Sequence, residues 1–219
     1  MDIRHSRASE AEVISDPSER ARQEARNGIL QFKAVERLVE ASLEGGRNFR
    51  LRPSHLLHLH RVALIGISPY AGNWRPSNIE IGGSIHRPPS ASEIPEQIEE
   101  LCDYVNERWD SKSPLHLASY VMWKLNWVHP FTDGNGRTSR AISYLVLCIR
   151  LGYLLPGKLT IPDQISADKQ SYYKALEAAD EAWKGRGAIN LSAMKNLLSA
   201  MLARQLVAVH SDSEAGDEE

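Results

Sequence analysis

Twelve residues, His129-Pro130-Phe131-Thr132-Asp133-Gly134-Asn135-Gly136-Arg137-Thr138-Ser139-Arg140, join two strongly apolar helical patterns at 114–128 and 137–151. Proline disfavours the α conformation in the residue before it, so the helix running through Val121, Leu125 and Val128 is expected to end near His129. That leaves an imidazole at a helix exit. Gly134-Asn135-Gly136 then offers unhindered backbone just ahead of the next helix, where successive N–H groups can converge on an anion. Arg137 and Arg140, three residues apart, share a helix face and add two guanidinium forks suited to phosphate oxygens. Asp133 is a lone carboxylate beside that cradle. It suits Mg2+, which commonly takes one or two protein carboxylates and fills its shell with water and phosphate. A cradle, two cations, a metal ligand and an imidazole base in one loop make a kit for handling polyphosphate.

Outward from this loop the chain reads as all-α. Apolar residues recur at three and four positions over 18–43 (Ile29, Phe32, Val35, Leu38, Val39, Leu43), until Gly45-Gly46 ends the pattern. Similar periods cover 53–65, 94–109, 166–183 and 191–209, giving seven helices in all with the central pair. The stretch 68–89 is rich in proline and glycine and reads as a long loop. Inside it, Asn78-Ile79-Glu80-Ile81-Gly82-Gly83-Ser84-Ile85-His86 alternates around Gly-Gly, the pattern of a small β-hairpin. An exposed β edge of this kind can hold an extended peptide by main-chain hydrogen bonds without reading its side chains closely.

The 219 residues, 42% hydrophobic and 25% charged, suffice for one core. The expected organisation is a flexible polar arm over 1–17, one helical domain over 18–209 and an acidic, disordered tail over 210–219. The formal charge is −2, and five acids (Asp212, Glu214, Asp217, Glu218, Glu219) sit in the tail, leaving about +3 elsewhere. That is too mild for a protein that tracks nucleic-acid phosphates. No apolar run approaches the roughly 20 residues needed to span a bilayer, and the first residues lack the apolar middle of a signal peptide. The expected address is the cytoplasm, with Cys102 and Cys148 as buried reduced thiols. His55, His58 and His60 crowd one helix without the carboxylate or cysteine that a zinc site needs.

The twelve-residue string resembles the signature of the Fic (Fido) domain protein adenylyltransferases, filling every specified position of the pattern HPFxxGNGRxxR. The resemblance extends over roughly residues 20–205, and includes Ala71-Gly72-Asn73-Trp74-Arg75-Pro76-Ser77-Asn78-Ile79-Glu80-Ile81-Gly82-Gly83 with Pro88-Pro89 as the family's flap. It implies a Fic-type helical domain with a β-hairpin flap, transferring AMP from ATP to a hydroxyl side chain of a target protein, this chain itself included. It implies that His129 is the general base, that Asp133 holds Mg2+, that Gly134, Asn135 and Gly136 line the phosphate cradle, and that Arg137 and Arg140 meet the outer phosphates. The flap residues 79–86 would register the target over the site.

Many members of that family carry a brake in which a glutamate pairs with the motif's second arginine. Glu24 stands where such a glutamate is often found, but Arg20 and Ala25 occupy positions where the brake pattern has Ser/Thr and Gly/Asn. The alternatives are transfer of UMP or phosphate, removal of AMP, and a nucleotide-holding regulatory or toxin–antitoxin module without turnover. Self-association into a homo-oligomer is left open.

Overall fold

The loop at 129–134 sits between two helices whose sequences leave them little choice but the interior. The structure, a computed structural model, describes residues 6–7, 13–45 and 49–216. Helix α4 (Pro114–Val128) is buried along almost its whole circumference, from Leu117 through Leu125 to Val128, and α5 (Asn135–Leu151) is buried at Thr138, at Ser139 and from Ala141 to Ile149. A helix apolar on every side belongs at the centre of a bundle. Around this pair pack α1 (Pro17–Glu44), α2 (Pro53–Leu64), α3 (Ile94–Glu107), α6 (Ile161–Ala167), α7 (Lys169–Arg186) and α8 (Ser192–Gly216). The domain is therefore all-α, as the periodicity implies. Cys102 and Cys148 are free, buried thiols.

Periodicity predicts seven helices, and the described residues form eight α-helices. The stretch read as one helix from 166 begins earlier and is cut at Asp168, whose side chain accepts from the N–H groups of Gln170 and Ser171 and so starts α7 afresh. Thr160 does the same for α6, accepting from the Asp163 N–H ahead of Pro162. Helix α8 continues to Gly216, well into the stretch read from composition as a tail. Residues 217–219 lie outside the described residues.

The flap departs most from expectation. The chain reverses at Gly82-Gly83, with Ser84 N–H donating to the Ile81 carbonyl at 3.3 Å, but only the first limb is a paired strand. That strand, β2 (Glu80–Ile81), pairs antiparallel with β1 (Ser6–Arg7) rather than with the returning limb. The return is held elsewhere. His86 is 5% exposed and bonds through Nε2 to the Trp127 carbonyl at 2.7 Å, drawing residues 84–86 onto the end of α4 and away from a hairpin ladder. Part of the N-terminal stretch, read from its composition as a loose arm, is thus a strand on the flap.

Candidate active site

His129 ends α4 as expected, and it does so in a left-handed conformation (φ 50°, ψ 59°) that no other described non-glycine residue adopts. Such backbone costs about 1 kcal/mol or more unless its surroundings impose it. Two groups impose it here. The His129 N–H donates to the Leu125 carbonyl at 2.9 Å, and the His129 carbonyl accepts from Arg75 Nε at 2.9 Å. Arg75, 2% exposed, also donates to the carbonyls of Ser77 and Pro89, so one buried guanidinium ties the long loop to the helix exit. The imidazole Nδ1 lies 3.4 Å from the Asn126 carbonyl, an acceptor only, which makes Nδ1 the protonated nitrogen and Nε2 the basic one.

The rest of the loop is fixed by packing. Phe131 is fully buried and stacks on His60 with ring centroids 3.7 Å apart and planes 5° from parallel. Asn135 clamps it from the other side, donating from Nδ2 to the Phe131 carbonyl at 2.7 Å and accepting from the Phe131 N–H at 3.0 Å. That spends the Asn135 side chain on the loop, so only its backbone remains to line a cradle. Gly134 (φ 75°) precedes α5, and a Cβ there would collide with Leu64 Cδ2. With glycine as N-cap, the start of α5 carries no side-chain cap, and its first N–H groups point out of the helix end.

The two arginines differ sharply in environment. Arg137 Nη2 donates to Asp133 Oδ2 at 3.0 Å, and its Nη1 lies 3.6 Å from Glu24 Oε1. Arg140 is half-buried, and desolvation pulls its guanidinium below its ordinary basicity, while among the described residues no carboxylate pairs with it. A partly desolvated cation without an anion is a place where one is favoured. Arg140 Nη1 would come within 3.2 Å of a Cβ at Gly136, so the glycine lets the guanidinium lie against the helix start. Arg140 lines a cavity of about 70 Å³ with His129, Gly136, Ile81, Tyr173 and Asp180, and a second of about 750 Å³ with Arg137, Lys158 and Asp163. Ile81 and His86 bring the flap to the wall of the first cavity.

Comparison with known proteins agrees with this geometry. Residues 50–147 match the pattern of the Fic/DOC family. The chain carries a Fic/DOC-family domain. Over 157 residues it is 31% identical to the protein adenylyltransferase Fic of Drosophila willistoni and 32% identical to that of Drosophila persimilis. The aligned part is 71% of this chain but 29% of each relative, so the chain spans under a third of the length of the curated relatives it matches. Among solved structures, Fic-1 (residues 134–508) of C. elegans superposes with a TM-score of 0.67 at 24% identity, covering 92% of this chain and 55% of that one. A Fic-domain signaling protein of Bacteroides thetaiotaomicron gives 0.71 at 22%, covering 89% and 73%. These establish the Fic helical fold.

Within the Fic domain, four side chains close a ring of alternating charge. Arg20 Nη2 donates to Asp133 Oδ2 at 3.3 Å and Arg20 Nε lies 3.3 Å from Glu24 Oε1, while Arg137 bridges the same two carboxylates. The N-terminal helix thus reaches the motif, but Glu24 meets the first motif arginine and not Arg140, the partner that the brake pattern leads one to expect. Arg20, Arg75 and His60 are the residues that motif reading missed. Each stands in the sequence for another reason, His60 as one of three crowded histidines, Arg20 as a departure from the brake pattern and Arg75 within the flap stretch.

His60 supplies a test of how the loop is held. Its Nδ1 accepts from the Gly72 N–H at 2.9 Å, so Nε2 carries the proton and donates to the Asp133 carbonyl at 3.0 Å. Burial above all, against the opposing effect of that carbonyl, pulls its pKa from 6.5 to about 4. The folded state therefore binds this proton less readily than the unfolded chain. The stabilisation is complete above pH 6.5 and is lost as pH falls toward 4, amounting to about 2 kcal/mol by pH 5. Urea unfolding at pH 7 and pH 5 is expected to show a pH-dependent loss smaller by about that amount in His60→Gln than in the wild type. Equal losses in the two proteins would contradict the neutral, buried imidazole.

Proposed function

We propose that this chain is a protein adenylyltransferase that moves AMP from ATP onto a hydroxyl side chain of a target protein. The observation that carries the reading is the placement of a backbone-constrained His129, with Nε2 as its basic nitrogen, on the wall of a cavity it shares with Arg140 and Ile81. The names of the Drosophila relatives support the same activity.

In this reading the target's hydroxyl loses its proton to His129 Nε2 and its oxygen bonds to the α-phosphorus. The bond to the β-phosphate oxygen breaks, and pyrophosphate leaves. Negative charge grows on that leaving group, and the first N–H groups of α5, with Gly136 at the second helical position, and the guanidiniums of Arg137 and Arg140 would receive it. Arg137 must first exchange Glu24 for phosphate, and this is the sense in which Glu24 acts as a brake.

Asp133 is the residue that would hold Mg2+. Its carboxylate is half-exposed and stands at the head of the cradle, as a phosphate-sharing magnesium requires, although Oδ2 now faces Arg20 and Arg137. When bound, the metal supplies charge neutralisation on the phosphates. Among the described residues no cluster of three or more acidic, histidine or cysteine ligands exists, which accords with a cation held jointly with nucleotide rather than by the protein alone. No described helix is long and apolar enough to cross a membrane, and with two buried thiols we assign the work to the cytoplasm.

The deciding experiment is transfer of label from nucleotide to protein. Label from α-labelled ATP is expected to stay on protein, whereas label from the γ-position is not, and α-labelled UTP is expected to serve poorly. Retention of γ-label, or a preference for UTP, would replace AMP transfer with another phospho-transfer, and nucleotide binding without any transfer would leave a binding module. Glu24→Gly in the same assay is expected to raise the amount of α-label, and unchanged labelling would remove the brake.

A further inference from the structure

Glu24 is carried by a helix that is pinned in place. One turn further along α1, Asn27 is fully buried and donates from Nδ2 to the Ala63 and Ile65 carbonyls at 3.2 and 2.9 Å, and the next turn adds Gln31, which donates to the Leu59 carbonyl at 3.0 Å. Lifting α1 from α2 would strand these buried amides and carbonyls. Relief of Glu24 must therefore come from side chains that exchange partners where they stand. Arg20, one turn before Glu24, touches two carboxylates with two different nitrogens: Nε lies 3.3 Å from Glu24 Oε1, and Nη2 donates to Asp133 Oδ2 at 3.3 Å. Nε and Nη2 form one edge of the guanidinium fork. Once Asp133 turns to a magnesium ion, the freed Nη2 can close on Glu24 beside Nε.

From this geometry, and resting on the adenylyltransferase reading, we propose that Arg20 is a positioning residue that holds Glu24 off the motif arginines while magnesium and ATP are bound. The exchange leaves every charge of the ring matched. Asp133 goes to the metal, Arg137 to phosphate, and Arg20 keeps Glu24. Without Arg20, the one cation left against Glu24 among the described residues is Arg137, at 3.6 Å, and Arg137 is the guanidinium that phosphate needs. Arg20 thus acts through Glu24 and not on the nucleotide. Both side chains are partly exposed, and pairs of this kind are individually weak, so Arg20 adjusts nucleotide affinity by a few-fold and does not switch it on or off.

The test measures, by calorimetry on the full chain with magnesium present, the binding of α,β-methylene-ATP, whose α–β bridge resists transfer. Arg20→Gln is expected to bind it about three to five times more weakly than the wild type, and Arg20→Lys, which keeps the charge beside Glu24, within about two-fold of the wild type. In the Glu24→Gln background, adding Arg20→Gln is expected to change nothing. A loss that persists undiminished in that background overturns the proposal, because Arg20 would then be acting on phosphate directly. Tighter binding by Arg20→Gln than by the wild type overturns it too, since the chief work of Arg20 would be to occupy Asp133 against the metal. Unchanged binding by Arg20→Gln has the same consequence. None of these outcomes touches the transferase reading, which label transfer decides, whereas a wild-type chain that binds no nucleotide brings down both.

Discussion

Replacing His129 with Ala is expected to lower AMP transfer by a factor of about 10²–10⁴, the usual contribution of a positioned general base, with ATP affinity close to that of the wild type. The bonds that fix the turn run through the His129 N–H and carbonyl and survive substitution, while the contact of Nδ1 with the Asn126 carbonyl is long at 3.4 Å. The loss should therefore appear in kcat with KM little changed, the mark of an interaction made only as the reaction proceeds. His129→Asn is the control for backbone strain, since asparagine tolerates the left-handed region better than alanine. It should be as inactive as His129→Ala while unfolding at nearly the wild-type urea concentration. Near-normal transfer by either variant would remove the base from the mechanism. A joint loss of ATP binding and folding would make His129 a structural residue instead.

Local chemistry makes the backbone course of the motif loop legible in the sequence. Pro130 forbids α4 to continue, Gly134 permits the positive φ that turns the chain into α5, and the three-residue spacing of Arg137 and Arg140 follows from the helix. What stayed hidden depends on contacts between distant segments. Arg20 reaches Asp133 across 113 residues, and nothing within α1 distinguishes it from the other arginines on that helix. The flap misled for a related reason. Alternation around Gly82-Gly83 reports that the chain can form a hairpin, but the partner of an edge strand is chosen by whatever lies beside it. His86 is captured by the Trp127 carbonyl, and the vacated edge pairs with Ser6–Arg7. Asn135 shows the same limit at closer range, because its place in the motif does not reveal that its amide closes on Phe131.

Arg140→Met should separate stability from function. A half-buried guanidinium with no carboxylate partner among the described residues raises the free energy of the ligand-free protein, since part of its hydration is lost and Asp163, on the wall of the larger cavity, does not approach it closely enough to pair. Methionine has similar length and no charge, and replacing buried charge with apolar volume is often neutral or stabilising, here by about 1 kcal/mol in urea unfolding. ATP affinity should move the other way. Removing one partner of a buried charge pair typically costs about 2–5 kcal/mol, which is roughly a 30-fold loss of affinity or more by calorimetry. Arg137 provides the contrast. Its charge is matched by Asp133 and Glu24, so Arg137→Met leaves two carboxylates facing each other and Arg20 alone, and the ligand-free protein should be less stable for it. An Arg140→Met protein that unfolds early yet binds ATP normally would mean that this guanidinium supports the fold, and that it does not bind the nucleotide.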